Sequence, residues 1–426
     1  MAMKESGIEW VGLIPDTWSV IPNKYVMHKE KNLCEKWSGE DVMSLTMNGV
    51  IVRDLQNPTG KMPATFDGYQ YIEDGDLLMC LFDIDVTPRC VGRVTHDGVT
   101  SPAYSNFKVH DNVSRDYFYY YYLMVDNTKE LLHLAKNLRH SFTEEQLGQL
   151  KVPMPPLSEQ QAIADYLDKT CSKIDEIIAE AKASIDEYKE LKQSVIFETV
   201  TKGLDKNVEM KDSGYDFIGD IPSKWEMCKV RHLGTAQNGI SIGGDAFGSG
   251  YSFVSYGDVY KHYSLPKTVD KLVRSSEEDR KRYSVEKGDW FFTRTSETIE
   301  EVGFSCVCEE TIPDAVFAGF LIRVRPFNNR IYTGFAKYYF RSNHLRTFFV
   351  KEMNLVTRAS LSQGLLKDAP VVVPPYDEQI EIANYLENKC KIIDGVIKDK
   401  ESTINDLEAY KKSLIYEVVT GKRRVV

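Results

Sequence analysis

Two similar stretches that follow a proline pair decide the fold: PPLSEQQAIADYL at residues 155–167 and PPYDEQIEIANYL at residues 374–386. The second lies 219 residues after the first, and this offset holds without a gap as far as residues 194–198 and 413–417. A repeat over this length indicates that the chain contains one structural unit twice.

A second pair of matching stretches precedes them. SGIEWVGLIPDTW occupies residues 6–18 and SGYDFIGDIPSKW occupies residues 213–225, an offset of 207 residues. The middles, about 19–152 and 226–370, share little and read as short β-type segments broken by Gly, Pro and Asn, with a few helices. We therefore expect two α+β globules whose ends are alike and whose middles have diverged.

Each copy closes with a long predicted helix. Ser158 and Gln161 form a capping-box pattern after the first proline pair, and Asp377 is a candidate N-cap after the second. Gly203 and Gly421 follow the two helices and are typical of C-terminal stops.

Along both helices, successive apolar residues lie alternately four and three positions apart. This spacing is typical of a coiled-coil seam. A helix that returns from the second globule can pack beside the first helix only in the antiparallel direction. At about 1.5 Å per residue, the pair would be a spacer on the order of 65 Å long. The alternative is that each stripe faces the core of its own domain. The predicted seam comprises Leu167, Ile174, Ile178 and Ile185 in the first helix and Leu386, Ile393, Ile397 and Ile404 in the second, and it continues through Leu191 and Tyr410.

These patterns predict an α+β fold of two globular domains, separated by two long antiparallel helices and related by an internal pseudo-two-fold repeat. We place the first globule at residues 1–155 and the central helix at 156–203. The second globule occupies 204–374, and the C-terminal helix occupies 375–426.

Composition narrows the class of protein. The chain has 426 residues, 42% of them hydrophobic, which is enough for two or three cores. No apolar run approaches the roughly 18 residues of a membrane span, so we expect a cytoplasmic protein. The eight cysteines include no CxxC pair, so neither a zinc site nor a disulfide framework is expected.

Two similar but not identical globules, held at a fixed distance by the helices, are suited to bind a target made of two separated parts. Duplex DNA is a regular polymer on which such a target can occur. On the four repeated blocks, the sequence resembles the specificity subunits of type I restriction-modification systems over essentially its whole length. The resemblance implies that the globules are target recognition domains, one for each half of a bipartite DNA sequence. It also implies that the helices dock two methyltransferase subunits, with restriction and translocase subunits in the full complex. S-adenosylmethionine would bind to the methyltransferase, and this chain would hold no cofactor or metal.

Charge is informative mainly through its distribution. The net charge of −10 argues weakly against a nucleic-acid partner, but residues 321–370 contain nine basic and only two acidic side chains. Arg can read guanine edges and Lys can neutralise phosphates, so this segment is the best electrostatic candidate for DNA contact; the alternative is a salt-bridged surface.

Two further places favour DNA contact. One is the polar turn that follows the buried strand-like run at 290–293, with its counterpart around Asp83, Asp85 and Arg89 in the first copy. The other is the pair of segments 139–141 and 358–360, which align at the 219-residue offset just before each long helix. The candidate DNA-binding residues are Arg139, His140, Ser141, Arg294, Thr295, Ser296, Lys337, Arg341, Arg358 and Ser360.

Two motifs resemble those of enzymes, but each lacks a feature that catalysis requires. GISIG at residues 239–243 matches the GxSxG hydrolase pattern, but further glycines follow where that pattern needs a helix, so a turn or a loop touching DNA is expected. Pro374-Pro375-Tyr376 is similar to the PPY core of adenine methyltransferases, but Val373 stands where an Asn or Asp must bind the flipped base. We therefore expect a non-catalytic DNA-recognition subunit. The alternatives are a stand-alone methyltransferase or nuclease, and a structural protein-binding adaptor.

Overall fold

The structure is a computed structural model that describes residues 2–58, 60, 62–135, 140–296, 302–352 and 359–425. For residues 296, 352 and 359 it describes only the backbone. The chain divides into two compact units. The first consists of Met1–Lys182 and Glu401–Val426, and the second is Ala183–Lys400. Each unit therefore contains the beginning of one long helix and the end of the other.

The first unit is a mixed α+β globule. Its strands are β1 (Met3–Glu5), β2 (Leu13–Pro15), β3 (Ser19–Pro22), β4 (Met27–Glu30), β5 (Val42–Thr46), β6 (Gly49–Val52), β7 (Gln70–Ile72), β8 (Leu77–Met79), β9 (Val91–Arg93), β10 (Gly98–Thr100), β11 (Ser105–Val109) and β12 (Lys151–Met154). Its helices are α1 (Arg115–Asn127), α2 (Glu130–Leu134), α3 (Glu144–Gln149) and the first part of α4 (Leu157–Lys202).

Two four-stranded sheets form the body of this unit. One has the order β4-β11-β8-β9 with antiparallel neighbours, and the other has the order β6-β5-β10-β7, in which β10 runs parallel to β5. Strand β12 pairs with β3, so the first and last strands of the variable middle lie side by side just before α4. Helix α1 begins where the Ser114 side chain accepts a hydrogen bond from the Tyr117 amide, and it buries a run of tyrosines in the core.

The second unit repeats this plan. Its strands are β13 (Met210–Asp212), β14 (Asp220–Pro222), β15 (Glu226–Lys229), β16 (Gly234–Asn238), β17 (Phe247–Val254), β18 (Leu272–Val273), β19 (Trp290–Thr293), β20 (Thr295–Ser296), β21 (Ser305–Val307), β22 (Val316–Phe317), β23 (Leu321–Pro326), β24 (Ala359–Ser360) and β25 (Pro370–Val373). Its helices are α5 (Tyr256–Lys261), α6 (Glu277–Arg282), α7 (Thr333–Tyr339), α8 (Asn343–Glu352), α9 (Gln363–Asp368) and most of α10 (Tyr376–Val419). The sheet β16-β23-β19-β21 matches β4-β11-β8-β9, and β25 pairs with β15 as β12 pairs with β3.

The long helices start before their predicted N-cap residues. Helix α4 begins at Leu157, so Ser158 lies inside the first turn and cannot be the N-cap. The Gln161 side chain donates to Asp165 Oδ1 at 3.1 Å instead of closing a capping box. The carbonyl of Pro156 already accepts the first helical hydrogen bonds, and the capping-box prediction is therefore wrong.

The same shift occurs in α10, and both helices end just before the predicted glycine stops. Helix α10 begins at Tyr376, one residue before the predicted cap Asp377. Gly203 and Gly421 have φ angles of 75° and 71°, the left-handed conformation that ends a helix at little cost for glycine.

In the first unit, the two long helices run antiparallel. Trp18 donates from Nε1 to Glu159 at the start of α4, at 3.0 Å, and its ring lies against Gly421 just beyond the end of α10. Farther along, Lys411 Nζ of α10 lies 2.6 Å from Asp175 Oδ1 of α4. The start of one helix and the end of the other thus meet at one tryptophan.

The second unit shows the same arrangement with the helices exchanged. Trp225 Nε1 donates to Glu378 at the start of α10, at 2.9 Å, and its ring lies against Gly203 after the end of α4. Lys192 Nζ lies 2.7 Å from Asp394 Oδ1. The predicted α+β class and the internal repeat are therefore confirmed. The antiparallel direction of the helices is confirmed inside each unit.

The predicted seam is correct along most of both helices and wrong near one end of each. The seam residues Leu167, Ile174, Ile178, Ile185, Leu386, Ile393 and Ile404 are buried, and Ile397 is half-buried. Leu191 and Tyr410 are 48% and 46% exposed, so they do not belong to it. An α-helix drifts by about 20° per heptad relative to a strict seven-residue repeat, and near the end of α4 the buried stripe has moved to Ile196 and Val200, which join the core of the second globule.

Candidate nucleic-acid interface

In the second unit, the candidate interface lies at one end of the sheet β16-β23-β19-β21. Strands β16 and β19 finish there and β23 begins there, because Asn238 pairs with Ile322 and Thr293 pairs with Leu321. Just beyond, the Arg294 amide donates to the Phe320 carbonyl at 2.9 Å. The polar turn after the buried strand is thereby attached to the edge of the sheet.

The segment that precedes α9 joins the same edge. Thr295 pairs with Ser360 in a short antiparallel ladder, and the Leu361 amide donates to the Arg294 carbonyl at 2.7 Å. The structure thus brings together two sequence candidates that lie more than 60 residues apart in the chain. Arg294 and Thr295 are partly exposed, and Ser360 is exposed.

Two amide side chains complete this edge. Ser362 caps α9 by accepting from the Leu365 amide at 3.0 Å, which orients the first turn of the helix. Gln363, in that turn, donates from Nε2 to Asn238 Oδ1 at 3.1 Å. Asn and Gln amides match the hydrogen-bonding edge of adenine, and Arg matches guanine, so this set of groups can read base edges.

The first unit builds an equivalent edge with the same backbone hydrogen bond. Leu81 follows β8 as Arg294 follows β19, and its carbonyl accepts from the Phe142 amide at 2.7 Å. Phe142 and Leu361 lie 219 residues apart, which is the offset of the sequence repeat. The His140 carbonyl adds a second contact by accepting from the Ile84 amide at 3.3 Å.

The side chains at this first edge differ from those at the second. Asp83 has a φ angle of 47°, and Asp85 Oδ2 lies 4.0 Å from His140 Nε2. Val86 is 73% exposed. Similar backbone connections therefore carry acidic and aliphatic groups in one unit and Arg, Asn and Gln in the other.

Most predicted contact residues lie at these two edges. His140 and Ser141 are at the first edge; Arg294, Thr295, Ser360 and the backbone of Ser296 are at the second. Arg139 and Arg358 lie outside the described residues. The sequence analysis missed Asn238, Gln363 and Phe320, although Asn238 directly precedes the GISIG motif and Gln363 follows the predicted segment 358–360.

Lys337 is held by carboxylates instead of facing a ligand. Its Nζ lies 2.7 Å from Glu387 of α10 and 3.5 Å from Glu309, and the side chain is only 14% exposed. Tyr338 donates to the same Glu387 carboxylate at 2.8 Å. These contacts attach α7 to α10 and favour a structural role for Lys337 over the predicted DNA contact.

Arg341 is likewise an internal residue. Its guanidinium donates to the carbonyls of Ser305 at 2.8 Å, Val259 at 3.1 Å and Tyr260 at 2.5 Å, and it stacks 4.4 Å from the centre of the Phe304 ring. Burial lowers the pKa of this guanidinium below its usual value. The donors of Arg341 are used inside the fold, which favours a structural role for this residue over the predicted DNA contact.

Other arginines of the basic segment also have internal partners. Arg325 makes a two-pronged contact with Asp289, at 2.7 and 2.6 Å, and Arg323 donates to Gln237 at 2.6 Å. Arg330 pairs with Glu226. These residues therefore fit the alternative stated for the basic segment: they form structural ion pairs and hydrogen bonds.

No group of three or more His, Cys, Asp or Glu side chains in the described part of the chain is arranged to hold a metal ion. The cysteines are free thiols and most are buried. Across the described ranges, no helix is both long and apolar enough to cross a bilayer.

Comparisons with known proteins agree with this architecture. A family model described as type I restriction modification DNA specificity domain matches residues 91–187 and 222–405. The chain is 23% identical over 327 residues to the type I restriction enzyme EcoBI specificity subunit of Escherichia coli, covering 73% of this chain and 66% of that protein. It is 22% identical over 289 residues to the EcoKI specificity subunit of Escherichia coli K12, covering 64% and 58%. The matches thus span less than two thirds of these relatives.

Solved structures share the fold over nearly the whole chain. A chain from a type I R-M system has a TM-score of 0.72 at 13% identity, covering 96% of this chain and 99% of that one. The HsdS subunit from Thermoanaerobacter tengcongensis has a TM-score of 0.52 at 14% identity, covering 96% and 98%. Together with the family match at residues 91–187 and 222–405, which is more than half of the chain, these results confirm the resemblance: the chain belongs to the family of type I restriction-modification DNA specificity domains.

Proposed function

We propose that this chain is the non-catalytic, DNA-reading subunit of a type I restriction-modification enzyme. Each unit binds one half of a bipartite sequence at its strand-loop edge. The long helices dock two methyltransferase subunits, which bind S-adenosylmethionine and methylate adenines in the target. Restriction and translocase subunits complete the assembly.

The observation that carries this proposal is the shared backbone hydrogen bond at two chemically different edges. The Leu81–Phe142 and Arg294–Leu361 hydrogen bonds hold equivalent loops at equivalent strand ends. A duplicated enzyme would be expected to keep reactive side chains alike in both copies, whereas two readers of different half-sites need the same frame with different side chains. The relatives are specificity subunits, which agrees with the second case.

Docking on the helices is supported by apolar residues that point away from their cores. Ile177 and Tyr410 in the first unit are 49% and 46% exposed, and Leu191 and Ile392 in the second are 48% and 63% exposed. A bound partner would remove the apolar area of these side chains from water, which favours association.

The negative net charge fits this assembly if the methyltransferases make most of the phosphate contacts. Binding that neutralises phosphates becomes weaker as salt rises, with a slope that counts the contacts. We expect a steeper salt dependence for the complex than for the isolated chain. Equal slopes of the binding constant against salt concentration would contradict the proposal that the methyltransferases make most of the phosphate contacts.

The direct test is to map methylated adenines. The chain is co-purified with its methyltransferase, incubated with plasmid DNA and S-adenosylmethionine, and the DNA is read by single-molecule sequencing. We expect methylation within one sequence of two defined halves and an undefined gap. Methylation without sequence preference would exclude the proposed function, and methylation by the chain alone would favour the stand-alone enzyme.

Arg294 provides a residue-level test of the second edge. Arg294→Ala is expected to weaken specific binding on the order of tenfold, because a side chain that reads a base contributes about 1–3 kcal/mol. Arg330→Ala is the matched control: it lies beyond the other end of β23 and loses only an exposed ion pair with Glu226. Fluorescence-anisotropy titrations in which both variants bind like the unmodified complex would remove Arg294 from the interface. If Arg294→Ala or Arg358→Ala kept specific DNA binding while methyltransferase binding fell, the adaptor alternative would be favoured.

A further inference from the structure

Phe320 lies at the second edge, in the turn between Ala318 and Leu321. Its side chain is 65% exposed, although the residues on both sides of its turn are buried. Single exposed apolar residues are common on protein surfaces. What distinguishes Phe320 is that its carbonyl accepts the hydrogen bond from Arg294, so it lies where the candidate reading groups converge.

The turn that carries Phe320 is firmly held. The Ile240 amide donates to the Phe317 carbonyl at 2.9 Å, and the Gly319 amide donates to the Ile240 carbonyl at 2.8 Å. The backbones approach so closely at Gly239 that a Cβ there would lie 2.2 Å from the Ala318 carbonyl oxygen. The GISIG segment therefore braces this turn, and the exposed ring is presented from a preorganised backbone.

The polar groups at the same edge indicate which ligand suits the ring. The amides of Asn238 and Gln363 are linked at 3.1 Å, and Asn238 pairs with Ile322, two residues after Phe320. Amide side chains recognise adenine in the major groove. The base opposite adenine is thymine, whose C5-methyl group is an apolar feature of the major-groove edge and is contacted by apolar side chains.

Resting on the proposed function, we propose that Phe320 is a specificity-determining residue of the second unit, which packs its ring against the C5-methyl group of a thymine in the target. The braced turn fixes the ring, and the neighbouring amides and Arg294 provide the hydrogen bonds that position the duplex. Phe320 thus selects thymine by an apolar contact that a hydrogen-bonding side chain cannot make.

The test uses the complex of the full chain with its methyltransferase and the target duplex found by methylation mapping. Each thymine is replaced in turn by deoxyuridine, which removes only the methyl group. Dissociation constants are measured for the unmodified complex, for Phe320→Ala and for Phe327→Ala. Phe327 is the matched control, because it is 61% exposed and follows the opposite end of β23. Thermal melting checks that both variants fold.

We expect one deoxyuridine to weaken binding by the unmodified complex on the order of fourfold, the effect of one buried methyl group. Phe320→Ala should lose at least as much on the intact target and be indifferent to that deoxyuridine, while Phe327→Ala should behave like the unmodified complex. The inference is overturned if Phe320→Ala binds normally, if it stays sensitive at that position, or if no thymine is sensitive in the unmodified complex. A complex with no sequence preference would instead reject the proposed function itself, and this inference with it.

Discussion

At the level of single residues, burial decides what a basic side chain can do. Arg341 belongs to the most basic segment of the chain, yet its donors are used by the carbonyls of Ser305, Val259 and Tyr260. Arg294 is partly exposed, and among the described residues it has no hydrogen-bond or ion-pair partner for its side chain. Two arginines that look alike in sequence therefore differ in whether their side chains are available to a ligand.

This contrast gives a prediction for Arg341. Arg341→Ala leaves several buried carbonyls without donors, each costing about 1–3 kcal/mol, so we expect the chain to lose about 3 kcal/mol of stability or more. Urea unfolding followed by tryptophan fluorescence measures the loss. Specific DNA affinity per folded molecule should stay unchanged. Weaker DNA binding at unchanged stability would return Arg341 to the interface.

His344 provides a pH-dependent prediction at the same scale. The side chain is buried beside Tyr339 and Phe197, and burial lowers its pKa to about 3. The unfolded chain binds this proton near pH 6.5, so the neutral histidine contributes stability above that pH and loses it as pH falls toward 3. From pH 7 to pH 5 the expected loss is about 2 kcal/mol at most.

His344→Leu should remove this part of the pH dependence. The free energy of unfolding is measured at pH 7 and pH 5 for the unmodified chain, for His344→Leu, and for His133→Gln, an exposed histidine that serves as the control. A difference between the two pH values that is as large in His344→Leu as in the unmodified chain would show that another group is responsible.

At the level of elements, the long helices are held by a buried stripe and by anchors at their ends. In α4, Ile174 is 5% exposed while Ile177, three residues later, is 49% exposed. These two isoleucines offer a matched comparison within one helix.

We expect Ile174→Glu to lower stability by about 3 kcal/mol or more, because it loses apolar burial and places a carboxylate in the seam. Ile177→Glu should change stability by no more than about 0.5 kcal/mol. Thermal or urea unfolding compares the two variants. If the proposed docking is correct, Ile177→Glu should instead weaken capture of the methyltransferase in a pull-down; equal unfolding losses for both would contradict the assignment of the seam.

The end anchors explain why the repeated blocks resemble each other. Trp18 and Trp225 end the first repeated block of each copy, and Glu159 and Glu378 lie in the second block. The structure joins each tryptophan to its glutamate, at 3.0 and 2.9 Å. The matching sequence is therefore the attachment between globule and helix, while the variable middle forms the edge that we propose reads DNA.

For the whole molecule, this organisation predicts that recognition segments can be exchanged. Each middle begins and ends on paired strands: Ser19 pairs with Met154, and Glu226 pairs with Val373. Residues 226–373 can therefore be replaced by residues 19–154. Both ends of the inserted segment then lie on the paired strands that border each middle. With the methyltransferase bound, the resulting chain should direct methylation to a target whose two halves carry the same bases.

Methylation mapping decides the outcome of this exchange. The unmodified chain provides the reference target, and one of its halves should be retained while the other is replaced. A chain that still methylates the original second half would show that sequence reading does not reside in residues 226–373. Loss of all methylation with normal methyltransferase binding would show that the two segments are not interchangeable in this frame.

The sequence by itself determined the features that depend on local pattern and on repetition. The period of the apolar residues predicted two long helices, with glycine stops at Gly203 and Gly421 that the structure confirms. The repeat predicted two similar units, and the narrow apolar stripe predicted an antiparallel helix pair. These features follow from spacing along the chain, which a single sequence displays directly.

The tertiary structure decided which side chains are available. Pattern could not distinguish Arg294 from Arg341, because burial and internal partners depend on residues distant in sequence, such as Val259 and Tyr260. It also could not bring Asn238, Phe320 and Gln363 to one edge, since strand register and helix packing set that neighbourhood. Local interactions specify elements, whereas the chemistry of a surface depends on which elements meet.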